Sequence, residues 1–86
     1  MTAFMAECFW PGVTEEKVAD AGARLRRAAH GLTERGRASH YIGSILVPVD
    51  EIALCLFAAP SAATATELNE TAAIPFERIL RIVQLT

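Results

Sequence analysis

Two apolar runs separated by a short turn constrain the fold of this chain more than any other feature. The runs cover residues 42–47 and 52–57, and the turn falls around residues 48–50. A connection this short joins neighbouring antiparallel strands, so the pattern predicts a β-hairpin with strands over about 39–47 and 52–57. Both sets of alternating positions in each run are mostly apolar, which indicates a sheet that is covered on both faces.

A strand and a helix are predicted before this hairpin. The apolar run at residues 3–9 ends at Pro11-Gly12, as strands often do. Thr14 then offers an N-cap, and apolar residues follow at helical spacing as far as Leu32. Gly36, or else Gly31, is expected to close this helix.

A second helix and a last strand are predicted after the hairpin. Pro60-Ser61 is typical of a helix start, and Pro75 is expected to end the helix. Its inner face is predicted at Ala62, Ala65, Leu68 and Ala72. The final strand is expected over residues 79–85, which include three apolar β-formers.

The resulting order is β-α-β-β-α-β, which is the ferredoxin-like arrangement. It predicts an α+β fold with a four-stranded antiparallel sheet, both helices on one face, and the first strand in the centre. The chain has 86 residues, a length that suits one domain over 1–86.

The apolar character of both strand faces predicts a partner. Helices can cover only one face of such a sheet, and an uncovered apolar face of this size is unusual for a monomer. A second copy of the chain is the simplest cover, packed sheet to sheet as a two-fold dimer. A ligand cavity is then expected between the two sheets.

Composition indicates which partners the protein is not expected to bind and in which compartment we expect it. The net charge of −2 argues against a nucleic-acid partner, and the uncharged stretch at 52–66 is too short to span a membrane. The N-terminus lacks the basic region of a signal peptide, so we expect a cytoplasmic protein. Motifs for phosphate, flavin, nicotinamide or haem binding are missing, and no organic cofactor is indicated.

Glu7 is the most informative candidate residue. It lies in the middle of an apolar strand predicted to be central, where a carboxylate is costly unless it is paired, protonated or bound to a ligand. It is the candidate acid or base of an enzyme. It is also a candidate ligand of a divalent metal, together with His40, Asp50 and Glu51.

Five other residues are candidates for the lining of the cavity between sheets. They are Phe9, Tyr41, Ser44, Cys55 and Phe57. Ser44 is expected on the same strand face as His40, about 13 Å away, which is too far for the histidine to activate the serine. A free cysteine in an apolar strand is usually a small buried hydrophobe, and Cys55 has this alternative as well.

Three stretches of the sequence carry a resemblance to a known family. They are AECFWPGVT at 6–14, YIGSILVPVDEIALCLFAAPSA at 41–62 and AIPFERIL at 73–80. In this order the chain resembles a small actinobacterial family described as nickel-binding ferredoxin-like proteins, long labelled a domain of unknown function. The resemblance implies a dimeric α/β barrel of two ferredoxin-like subunits and binding of Ni(II).

Three functions remain open from the sequence. The first is a homodimeric binding protein for a divalent metal, nickel by resemblance, or for a small hydrophobic ligand. The second is a cofactor-independent cyclase, isomerase or oxygenase that acts on a hydrophobic metabolite, with Glu7 as acid or base. The third is an accessory dimer that stabilises a larger assembly.

Overall fold

The computed structural model describes residues 1–85, and its elements follow the predicted order. The strands are β1 (Thr2–Phe9), β2 (His40–Val47), β3 (Ile52–Ala59) and β4 (Arg78–Arg81), and the helices are α1 (Glu15–Glu34) and α2 (Ala62–Thr71). A 3₁₀ turn over Pro48–Asp50 joins β2 to β3.

The strands form one antiparallel sheet in the order β2-β3-β1-β4. This order, with the βαββαβ connectivity, confirms the ferredoxin-like α+β fold. It also places β1 inside the sheet, between β3 and β4, as predicted. The strands β2 and β4 form the two edges.

Local capping residues set most of the helix ends. Thr14 accepts a hydrogen bond from the Lys17 amide at the start of α1, and Ser61 accepts one from the Thr64 amide at the start of α2. Gly36 follows α1 at φ +84°, in the left-handed region that glycine adopts without strain. These three boundary predictions are confirmed.

The end of α2 differs from the prediction. The helix ends at Thr71, before Pro75, because Ala73 takes the left-handed conformation at φ +55°. The Ala73 amide then donates to Glu70 O, and the Ile74 amide donates to Asn69 O, which closes the last turn. Ala62 is exposed at the first turn, so it does not belong to the inner face.

The last strand is shorter than predicted. It ends at Arg81, and the Ile82 amide makes one further bond to Ala3 O. Arg81 pairs with Phe4, so in this register only the first few residues of the chain lie opposite the segment beyond Arg81. Residues 83–85 therefore have almost no strand left to pair with, although their composition favours β-structure.

The core lies between the sheet and the helices. The buried strand residues alternate, with Phe4, Ala6 and Cys8 on β1 and four residues from Ala53 to Ala59 on β3. They pack with the inner residues of α1 and α2, so both helices cover one face, as predicted. None of the helices within residues 1–85 is long and apolar enough to cross a membrane.

Candidate functional site: the open face of the sheet

The sheet surface opposite the helices is here called the open face. Its members are the strand residues that alternate with the buried ones, and they are largely apolar. They comprise Ala3, Met5, Glu7, Phe9, His40, Gly43, Ile45, Val47, Ile52, Leu54, Leu56, Ala58, Arg78 and Leu80. Phe9 is 55% exposed and Ile45 is 51% exposed, whereas most of the others are half-buried by their neighbours.

The size of the open face is comparable to that of a protein interface. Four strands at about 4.8 Å and up to eight residues at about 3.3 Å outline a plane of roughly 500 Å². Side chains that project from this plane offer more area than the plane itself. Apolar patches of this size are at the upper end for monomers, and a stable interface buries about 800 Å² on each partner.

One ion pair interrupts this apolar surface. Glu7 of β1 lies in register with Leu54 of β3 on one side and with Arg78 of β4 on the other. Arg78 Nε donates to Glu7 Oε1 at 3.0 Å, and Arg78 Nη2 donates to Glu7 Oε2 at 3.4 Å. The two-pronged geometry fixes both side chains, so the pair is a preorganised polar group within an apolar surround.

The other predicted metal ligands lie away from Glu7. His40 is opposite Ala58, four residues along β3 from Leu54, and on the strand beyond β3. Four residues span about 13 Å, to which two strand spacings of about 4.8 Å add. The His40 imidazole and the Glu7 carboxylate of one chain are therefore too far apart to bind the same metal ion. Within the described residues, no group of three His, Cys, Asp or Glu side chains could hold a metal ion.

The acidic hairpin residues have structural partners instead. The Glu51 carboxylate accepts a hydrogen bond from the Gly12 amide at 2.6 Å, and the Glu51 carbonyl accepts one from the Trp10 amide at 2.8 Å. Asp50 is exposed at the end of the 3₁₀ turn. Both contacts of Glu51 tie the hairpin to the end of β1 rather than to Glu7.

The residues predicted to line one cavity are divided between the two faces. Phe9 lies on the open face. Tyr41, Ser44, Cys55 and Phe57 lie on the helix side, and Cys55 and Phe57 are fully buried in the core. These four side chains therefore do not face a space between two sheets.

A β-bulge explains the position of Ser44. The register of β2 shifts between Tyr41 and Gly43, so Ile42 has no partner on β3. The extra residue inverts the alternation. His40 consequently lies on the open face and Ser44 on the helix side, which corrects the prediction that they share a face.

The helix-side residues form a polar chain that runs from the half-buried Tyr41 and Ser44 to the buried Cys55. The Tyr41 hydroxyl and Ser44 Oγ are 2.5 Å apart, and Ser44 Oγ donates to Cys55 Sγ at 3.5 Å. Hydrogen bonds from the Cys8 thiol and from Ser44 lower the pKa of Cys55 to about 7. The hydrogen bond that the Cys8 thiol shares with Cys55, together with burial, raises the pKa of Cys8 well above its usual range.

Sequence reasoning missed Arg78 as a member of the site. The available signal was physical, because a carboxylate in a central strand requires a partner, and the neighbouring strand is the place to look for a cation. Arg78 is the first residue of β4 and is 71 residues from Glu7. The pairing register that joins them becomes visible only in the folded sheet.

Comparisons with known proteins support the fold. Neither a protein-family model nor a curated protein sequence matches the chain. The fold is similar to the crystal structure of SCO4226 from Streptomyces coelicolor A3(2), an actinobacterial protein, with a TM-score of 0.74. The two sequences are 19% identical over 98% of this chain and 99% of that chain. The similarity therefore extends over essentially the whole length and concerns the fold.

Proposed function

We propose that the chain is a homodimeric binding protein, whose two open faces enclose a small, mainly apolar ligand. The observation that carries this proposal is an apolar sheet face that holds one ion pair, between Glu7 of the inner strand β1 and Arg78 of the edge strand β4. Face-to-face sheets pack about 10 Å apart when side chains fill the space between them. Where facing side chains do not meet, the space between the sheets holds the ligand.

The Glu7–Arg78 pair gives this site its polar contact. Apolar side chains supply most of the contact area for a ligand, and a few fixed polar groups supply orientation. Glu7 accepts hydrogen bonds from a ligand hydroxyl or amide, while the unshared hydrogens of Arg78 donate to a carbonyl or carboxylate. The favoured ligand is therefore a hydrophobic molecule with one hydrogen-bonding end.

A fluorescent probe and two matched variants test this function. The probe is 1-anilinonaphthalene-8-sulfonate, an apolar molecule with one charged group. Ile45→Asp adds a charge to the open face, whereas Val49→Asp adds the same charge to the hairpin turn, where Val49 is 88% exposed. We expect the wild type and Val49→Asp to be dimers that bind the probe saturably.

The expected loss is specific to the open face. Ile45→Asp should be monomeric and should bind the probe at least tenfold more weakly. Equal, saturable binding by Ile45→Asp and the wild type would place the probe elsewhere and contradict the proposal. The double variant Glu7→Gln/Arg78→Met, which leaves no unpaired charge, should retain the dimer and weaken the binding of a probe that carries a polar end.

Nickel is the metal to consider, because of the family resemblance. The described residues of one chain do not fit it, since Glu7 is bonded to Arg78 and His40 lies two strands away. Ni(II) prefers several nitrogen and oxygen donors in an octahedral or square-planar set. Calorimetric titration with NiCl₂ should therefore show no saturable binding. Binding at a fixed stoichiometry that disappears in His40→Ala would favour the metal and overturn the apolar-ligand proposal.

A cofactor-independent enzyme is the second candidate. Glu7 supports it, because a carboxylate surrounded by Met5, Phe9 and Leu54 is placed to exchange a proton with a bound hydrophobic molecule. In that case Glu7→Gln should abolish turnover and leave binding intact. Full activity in Glu7→Gln would remove Glu7 from the role of acid or base.

A further inference from the structure

A basic groove lies on the helix side of the molecule, between α1 and the C-terminal end of α2. Its volume is about 400 Å³, and its walls carry three arginines, Arg24, Arg27 and Arg35. Small residues, among them Gly31 and Ala73, leave the space between the arginines open. The sheet separates this groove from the open face, so it is independent of the proposed dimer site.

Arg24 and Arg27 lie on α1, and Arg35 follows the helix directly and continues the same stripe. Their spacings are three and eight residues, and a helix repeats its face at intervals close to 3.6 residues. Like charges three or four residues apart on a helix repel one another. A cluster of this kind is costly unless negative charge offsets it.

Protein carboxylates offset only part of this charge. Arg24 Nε lies 3.2 Å from Asp20 Oδ2. Within residues 1–85, neither Arg27 nor Arg35 has a carboxylate oxygen within 4.0 Å. By contrast, Arg37 and Arg78 lie outside the groove, and each is paired with a glutamate. Arg26 and Arg81 also lie outside the groove without a carboxylate within 4.0 Å among the described residues, but Arg26 lies over the Tyr41 ring and Arg81 is on β4. The groove is therefore the place where two arginines without a carboxylate partner line one space.

Helix dipoles explain why two of the three arginines lie at the groove. Cations are favourable near a helix C-terminus, and Arg35 follows α1 directly. Arg24 Nη1 donates to Ala72 O and Ala73 O at 3.0 Å each, so it caps the end of α2. Arg27 lies in the middle of α1, two turns from its end, and neither dipole explains its position.

The anchoring of Arg24 also prepares the groove for a ligand. Its Nη1 is held by two carbonyls and its Nε is beside Asp20, so the guanidinium plane is fixed. Ala73 holds a left-handed backbone at φ +55°, which is costly for a residue other than glycine, and the capping contacts maintain it. Thr71 adds a hydroxyl donor to the same wall.

We propose that this arginine groove binds a small molecule that carries a phosphate ester or a diphosphate. Guanidinium groups match phosphate oxygens with paired hydrogen bonds, and a doubly charged group offsets Arg27 and Arg35 together. The groove is larger than one phosphate, so the small residues accommodate an organic part of the ligand beside the charged part.

Amide NMR titration tests the groove with inorganic pyrophosphate and with phenyl phosphate, at constant ionic strength. We expect saturable shifts at Arg27, Gly31, Thr71 and Ala73. A larger response to phenyl phosphate would identify a monoester with an apolar group, and a larger response to pyrophosphate would identify a diphosphate. Shifts that remain linear for both probes, or that spread over the surface, would overturn the proposal.

Charge-matched variants separate the groove from general attraction to anions. The single variant Arg27→Gln should weaken binding at least tenfold. Its control is Arg81→Gln, because Arg81 is an exposed arginine on β4, away from the groove. Arg81→Gln should change the affinity less than twofold. Equal losses in Arg27→Gln and Arg81→Gln would show that only net charge matters and would contradict the site.

Discussion

Removal of Arg78 from its pair with Glu7 should reveal whether the open face is covered. Arg78→Met keeps an apolar stem of similar length and leaves the Glu7 carboxylate without its cation. In the separate chain the side chains of Glu7 and Arg78 are 33% and 61% exposed. Exposed pairs contribute about 1 kcal/mol or less, so in an uncovered face the substitution should cost less than about 1 kcal/mol.

If a second sheet covers the open face, Arg78→Met should cost more stability. The pair then loses its water, and the loss of one partner from a buried ion pair costs about 3–5 kcal/mol. The double variant Glu7→Gln/Arg78→Met should be more stable than Arg78→Met alone, because no unpaired charge remains. A coupling free energy of about 2 kcal/mol or more therefore indicates a covered face.

The assay is urea unfolding followed by circular dichroism, with a double-mutant cycle of the wild type, the two single variants and the double variant. All four are compared at one protein concentration, because the stability of a dimer depends on concentration. The same cycle in an Ile45→Asp background provides the control. In that background the copies separate and the coupling should fall to about 1 kcal/mol or less.

A coupling below about 1 kcal/mol in both backgrounds would contradict an open face that is covered by a second sheet. It would mean that Glu7 and Arg78 remain in water and that no second sheet lies over them. A coupling that stays large in the Ile45→Asp background would also contradict it, because the pair would then be desolvated without the dimer.

Three further predictions concern the separate chain. The pKa of Cys55 is lowered to about 7 against 9.0 for a free thiol, so between these values the folded state binds fewer protons than the unfolded state. The free energy of unfolding should therefore rise from pH 7 to 9 and fall above pH 9, where the raised pKa of Cys8 opposes it. Thiolate absorbance at 240 nm should begin near pH 7 and move to higher pH in Cys8→Ala, and its absence below pH 9 would contradict this. Leu25→Ala empties a fully buried position of α1 and should cost about 2–5 kcal/mol in urea unfolding, and a cost below about 1 kcal/mol would argue against that packing. Thr14→Ala removes the acceptor for the Lys17 amide and should cost about 1 kcal/mol by the same assay, whereas an unchanged midpoint would argue against the cap.

Local chemistry made most of the fold predictable from the sequence. The caps at Thr14, Ser61 and Gly36 depend on residues within one turn, and the short turn between β2 and β3 permits only a hairpin. Once these elements are placed, few topologies remain. Even the apolar open face follows from the alternation in β3.

Three features were not predicted. The bulge at Ile42 reverses the faces of β2, and the isolated Gly43 beside it was the available signal, because a glycine inside a strand often marks a bulge. Ala73 adopts a conformation for which glycine would be expected, so the early end of α2 was missed. The pairing of Glu7 with Arg78 depends on the register of strands that are far apart in sequence.

The candidate site was therefore predicted only in part. Glu7 and Phe9 lie on the open face as expected, because their alternation in β1 is uninterrupted. Ser44 and Cys55 share a face with each other, which is the side packed under the helices. Pairing between strands determines on which face of the sheet Ser44 and Cys55 lie, and the sequence of one strand alone does not show it.

The mass of the native protein shows whether two copies of the chain pack together through their open faces. The chain has a mass of 9.3 kDa, and native mass spectrometry or sedimentation at micromolar concentration distinguishes one copy from two. We predict twice this mass for the wild type and for Val49→Asp, and the single mass for Ile45→Asp. A wild-type protein that remains at 9.3 kDa would leave the open face uncovered and would contradict the proposed ligand site between two sheets.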